Sequence, residues 1–188
     1  MNTRLLIAFS LMGLSLHAQP NEPRYTADGQ LMRPDNYREW IFLSSGLGMT
    51  YSTPDAAATA STALPRFDNV FVTPQAYQAF LKTGAWPDKT MFALEVRSSA
   101  NKGSINKGGH YQDEIVALEI EVKDQSKFPN QWAFFGFGAG AQQSKPRPAT
   151  AGCQACHSTN GAVENTFVQF YPTLLPVARA KGTLKVGH

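Results

Sequence analysis

Cysteine is nearly absent: the 188-residue chain has two, Cys153 and Cys156. That excludes a disulfide framework of several bridges, and no second cysteine pair exists to complete a zinc site. Charge of one sign is also scarce. Lys plus Arg number 17 against 14 Asp plus Glu, a formal +3, and no basic run marks a nucleic-acid surface. Long apolar runs are missing too, because the stretch from Leu5 to Leu16 is too short to span a bilayer. Methionine stops at Met91, which removes one familiar class of late metal ligand. No internal repeat or linker composition divides the chain, and its length suits one domain with one sizeable core.

What is present begins with an export signal. Arg4 supplies the positive start, Leu5 to Leu16 the apolar centre, and His17-Ala18 the end, so residues 1–18 read as a signal peptide and the protein as periplasmic. Losing Arg4 lowers the formal charge from +3 to 3 − 1 = +2. No cysteine lies near the cut, which excludes a lipoprotein, and no membrane span is expected after signal removal. Residues 19–36, with Pro20, Pro23 and Pro34, read as a surface leader, and residues 37–188 as a single domain.

Within that domain the hydrophobic pattern is mostly of period two. A helical turn passing into a strand is expected at Tyr37 to Leu43, a loop at Thr53 to Pro65, and a strand at Phe67 to Val72. Thr73-Pro74 then opens a helix that ends at Gly84. From Thr90 to Arg97, Phe92, Leu94 and Val96 alternate with Met91, Ala93, Glu95 and Arg97; from Tyr111 to Val122, Val116, Leu118, Ile120 and Val122 alternate with Ala117, Glu119 and Glu121. A further strand is expected at Gln131 to Phe137, a connecting loop at residues 138–150, and a broken or kinked helix from Thr166 to Ala180, interrupted by Pro172 and Pro176. The fold class is α+β, mainly an antiparallel β-sheet with a few helices.

Both cysteines fall in Cys153-Gln154-Ala155-Cys156-His157, the C-x-x-C-H pattern of c-type haem attachment. Each thiol can add to one porphyrin vinyl group while the adjacent imidazole reaches the iron as proximal ligand. A zinc site would lack ligands, and adjacent Cys156 and His157 fit one tetrahedron poorly. A redox dithiol is expected instead at the head of a helix in a thioredoxin-like unit near the N-terminus. The motif therefore predicts one covalent haem c, with His157 on the iron. None of the 31 residues after His157 is methionine, and an exposed turn is the ordinary setting for His110, so no sixth ligand is evident. Arg97 and His110 have the chemistry of a peroxidase's distal pair, but nothing in the sequence brings them together; Glu95 is expected to pair with an arginine.

The runs Asn36-Tyr37-Arg38-Glu39-Trp40, Gly84-Ala85-Trp86-Pro87-Asp88-Lys89-Thr90, Val122-Lys123-Asp124, Trp132-Ala133-Phe134, the haem motif and Phe170-Tyr171-Pro172 together resemble the cytochrome P-460 family. The resemblance implies a mainly antiparallel β domain, usually a homodimer, with a c-type haem held by the two cysteines and the histidine. Its members include hydroxylamine-oxidising enzymes, whose haem is also cross-linked to a lysine. They also include cytochromes c′-beta, which lack that link and bind nitric oxide or carbon monoxide at five-coordinate iron. Alignment on Trp86 to Thr90 puts Leu94 where the cross-linking lysine is expected, and leucine cannot form that bond. Phe92 and Leu94 would then line an apolar distal wall suited to small neutral gases, or simply belong to the sheet core. The expected partners are a small gaseous or nitrogen-oxide ligand and a redox protein. The alternatives are an enzyme oxidising hydroxylamine or nitric oxide, with Lys89 the nearest substitute lysine, and an electron-transfer cytochrome.

Overall fold

Two long strands with alternating side chains form the centre of the molecule, in a sheet that meets a buried layer on either face. The computed structural model describes residues 21–50, 64–129 and 132–188. The signal segment 1–18 and most of the expected loop at residues 53–65 lie outside the described residues. The strands are β1 (Leu31–Met32), β2 (Ile41–Leu47), β3 (Phe67–Val72), β4 (Met91–Ala100), β5 (Tyr111–Lys123), β6 (Trp132–Phe137) and β7 (Gln143–Ser144). Three helices, α1 (Pro74–Thr83), α2 (Cys153–Asn160) and α3 (Leu175–Lys181), accompany them. Strands β2-β3-β4-β5-β6 form one antiparallel sheet in sequence order, and β1 pairs with β7 in a separate two-stranded ribbon. The fold is α+β.

Cross-strand register assigns the faces. Val72, Phe92, Glu121 and Phe134 form one row across β3 to β6, and Val70, Leu94, Glu119 and Gly136 the next row on the same face. Helices α1 and α3 cover part of this face, where Phe80, Trp86, Phe92, Trp132, Tyr171 and Leu174 make one core. The opposite face carries Ala93, Ile120 and Phe135 in a row, and with Leu31, Tyr37 and Trp40 above them these make a second core. Phe80 is fully buried, a contribution of about 1.5–3 kcal/mol relative to leaving it exposed.

Helix α1 runs as its end signals predict. Pro74 occupies the first turn and Gly84 closes the helix with φ of +75°. A Cβ at Gly84 would lie 2.6 Å from that of Lys181, so the glycine also admits the end of α3. Thr73 stands at the cap position, but its side chain makes no capping hydrogen bond; it is buried against the sheet.

Two expectations need correction. The leader does not lie wholly on the surface: Leu31 is fully buried, and the Arg33 amide donates to the Gln142 carbonyl at 2.8 Å. The loop expected at residues 138–150 supplies β7, the partner of that leader. Of the two forms expected for the C-terminal helix, the broken one is found: a 3₁₀ turn at Val168–Phe170 and α3 from Leu175, because Pro176 is accepted only in the first turn.

Candidate functional site

The C-x-x-C-H segment forms α2, so Cys153 and Cys156 lie one turn apart on one side of a helix. Both thiols are free and half-buried. What happens at the end of α2 determines how His157 is held. At Gly161 a Cβ would lie 2.5 Å from the Asn165 carbonyl carbon, 2.6 Å from the His157 oxygen and 2.7 Å from the Thr166 nitrogen. Only glycine therefore lets residues 161–166 fold back against the helix. The turn is closed by the Ala162 amide donating to the Thr166 carbonyl and the Thr166 amide to the Val163 carbonyl, each at 2.8 Å. It places Glu164 and Asn165 at φ of +45° and +68°.

That turn is anchored to the sheet. Glu164 accepts from the Trp86 amide at 3.1 Å and from Lys123 Nζ at 2.9 Å, and Trp86 Nε1 donates to Thr166 Oγ1 at 2.9 Å. Lys123 Nζ also donates to the Trp86 carbonyl at 2.6 Å. The outcome is that the Asn165 carbonyl sits 3.0 Å from His157 Nδ1. Nδ1–H donates to that carbonyl, which leaves Nε2 as the ring nitrogen with a free electron pair. The ring is wedged between Phe134 and Phe167, each with its centroid 4.5 Å away.

A carboxylate completes the setting. Glu121 Oε1 lies 3.3 Å from His157 Nδ1 and is buried without a hydrogen-bond partner. Burial holds the Glu121 carboxyl above its ordinary range, offset in part by the adjacent imidazole. Burial lowers the basicity of His157, but Glu121 and the Asn165 carbonyl outweigh it and the net shift is upward.

The two residues expected on the distal wall share the sheet face with Glu121 but differ in setting. Phe92 is 4% exposed and packs on Trp86, Trp132 and Tyr171, with centroids 4.8, 6.0 and 6.2 Å away. Leu94, one row further along, is half-buried and belongs to neither core. Glu95 faces the other way, where Arg38 and Arg97 bind it at 2.6 and 2.5 Å. Arg97 thus lies on the face away from Leu94, and His110 is exposed beyond the β4–β5 hairpin. Sequence reasoning missed Glu121, Phe134, Asn165 and Phe167 as neighbours of His157. The available signal was Glu119 and Glu121 alternating on a strand whose other side is apolar.

The family model of cytochrome P-460 matches residues 34–168. The chain belongs to the cytochrome P-460 family. No curated protein matches it. Membership makes this a haem c cytochrome, and the cytochrome P-460 residues described above fit that group. Two free thiols share one side of α2, and beside them is an imidazole whose Nδ1 is occupied and whose Nε2 is not. Among the described residues no three His, Cys, Asp or Glu side chains converge as ligands, whereas a porphyrin supplies four ligands to its own iron. Among the same residues no helix is long and apolar enough to cross a membrane.

Proposed function

We propose that Cys153 and Cys156 attach one haem c covalently, that His157 Nε2 is its proximal ligand, and that the protein binds small gases such as nitric oxide at the opposite iron face. In each attachment a thiol adds across a vinyl group: the sulfur bonds one vinyl carbon, the hydrogen ends on the other, and no oxidant is needed. When bound, the haem supplies the iron at which a diatomic ligand coordinates. The chain's own residues hold the imidazole at Nδ1 through Asn165, fix its plane between Phe134 and Phe167, and present Leu94 as apolar wall, with Phe92 packed as core behind it.

The observation that carries gas binding is the scarcity, among the described residues, of any methionine or histidine side chain to close the sixth position. Met91 is buried in the core on the far side of the sheet, Met32 and Met49 are exposed, and His110 is on the hairpin turn. The absence of a lysine cross-link is supported by where the nearby lysines are committed. Lys89 Nζ is 2.5 Å from Asp124 and 3.1 Å from Ser126 Oγ, and Lys123 is held by Glu164 and the Trp86 carbonyl. Optical spectra test the proposal: the ferrous protein is expected to be high-spin and five-coordinate and to shift on adding nitric oxide, and a low-spin six-coordinate spectrum overturns it. Mass spectrometry separates it from hydroxylamine or nitric oxide oxidation of the cross-linked kind, since two thioethers without a lysine adduct are expected. Export after residue 18 is checked by N-terminal sequencing of periplasmic protein, and the homodimer by light scattering.

A further inference from the structure

Glu121 is half-buried, and its carboxylate has one buried oxygen with nothing conventional to satisfy it. It projects from β5 between Phe92 on β4 and Phe134 on β6, and two aromatic neighbours offer no hydrogen bond to a carboxylate. Two neighbouring cations are engaged elsewhere: Arg147, whose amide donates to the Phe134 carbonyl, with Glu119, and Lys123 with Glu164. Oε1 is left without a hydrogen-bond partner, 3.3 Å from His157 Nδ1. Such an oxygen is costly in a fold unless it serves the group it faces.

We propose that Glu121 is the positioning residue for the proximal ligand: with the Asn165 carbonyl it shares the Nδ1–H of His157, and so makes Nε2 a stronger donor to the haem iron. This rests on the haem assignment above, with His157 as proximal ligand. A carboxylate at the outer nitrogen of a ligating imidazole raises its basicity and fixes its ring plane. A more basic proximal imidazole stabilises ferric over ferrous iron, which lowers the reduction potential. It also resists release when nitric oxide weakens the bond on the opposite side. Glu121 would thereby favour a six-coordinate nitrosyl complex over one that has lost His157.

The test uses the holoprotein and E121Q, which keeps the shape and removes the charge. Absorbance and mass of the attached haem are read first; a wild-type protein without covalent haem defeats the haem assignment, whatever Glu121 does. With haem attached in both, E121Q is expected to show a higher reduction potential and a lower ferrous iron–histidine stretching frequency by resonance Raman. A larger share of five-coordinate nitrosyl complex is expected as well, and E121D should recover part of each change. Unchanged potential and stretch in E121Q overturn the proposal. If E121Q does not retain haem, the wild-type stretch decides: it is expected above that of ferrous haem with a plain imidazole ligand, and a value no higher overturns the proposal.

Discussion

The two faces of the sheet each hold a glutamate with a buried carboxylate oxygen, and the two are treated in opposite ways. Glu95 has both oxygens engaged, by Arg97 at Oε1 and by Arg38 and Tyr37 at Oε2. Burial opposes its ionisation, yet Arg97, Tyr37 and Arg38 outweigh that and hold it below the usual carboxylate range. Glu121 has one buried oxygen with no partner and is pushed the other way. A carboxylate whose partners come from its own fold is a structural element. Glu121 instead faces a single imidazole, at Nδ1 of His157.

Substitutions can break that contrast at different strengths. The largest effect is expected from C153A/C156A, which should abolish covalent haem, read as lost haem staining on a denaturing gel. Next is E95A, which leaves two guanidinium groups around an empty site. With Arg38 half exposed, the lower end of the usual range for breaking a buried pair applies, about 3 kcal/mol in urea unfolding. G161A should follow at about 1–3 kcal/mol, since the added carbon forces the turn off the end of α2; its haem spectrum should also broaden as Asn165 leaves His157. The smallest change is expected for E121Q in the haem-free protein, within about 1 kcal/mol of wild type or slightly more stable, because an unsatisfied charge is removed.

The same contrast has a pH signature. The folded Glu95 has a lowered pKa, so its contribution is present above the unfolded value and is lost as pH falls through the folded one. Acid should therefore cost the wild type stability below the ordinary glutamate range, and E95Q should flatten that part of a curve of melting temperature against pH.

Local rules made much of this legible. Alternation in β4 and β5 assigned Phe92 and Leu94 to one face and Glu95 to the other, as register shows, and Pro74 and Gly84 set the ends of α1. Contacts between distant residues were not legible. Two-residue strands such as β1 and β7 are too short to show a period, so the buried place of Leu31 could not be read from its surroundings. The packing of Asn165 on His157 depends on backbone clearance at Gly161 and on anchors from Trp86 and Lys123, residues brought together only by the fold. Pro176 carried two meanings, a kink or a first turn, and sequence spacing does not choose between them.

The burial of Leu31 on one side and of Leu174 and Ala178 on the other has a consequence for how much of this chain is needed to fold. The portion shared with the family runs from residue 34 to 168, yet each core is finished by side chains outside it. A chain trimmed to the shared portion would expose both sheet faces at once. The unit that folds is therefore longer than the matched portion, and the flanks act as closures over the two cores.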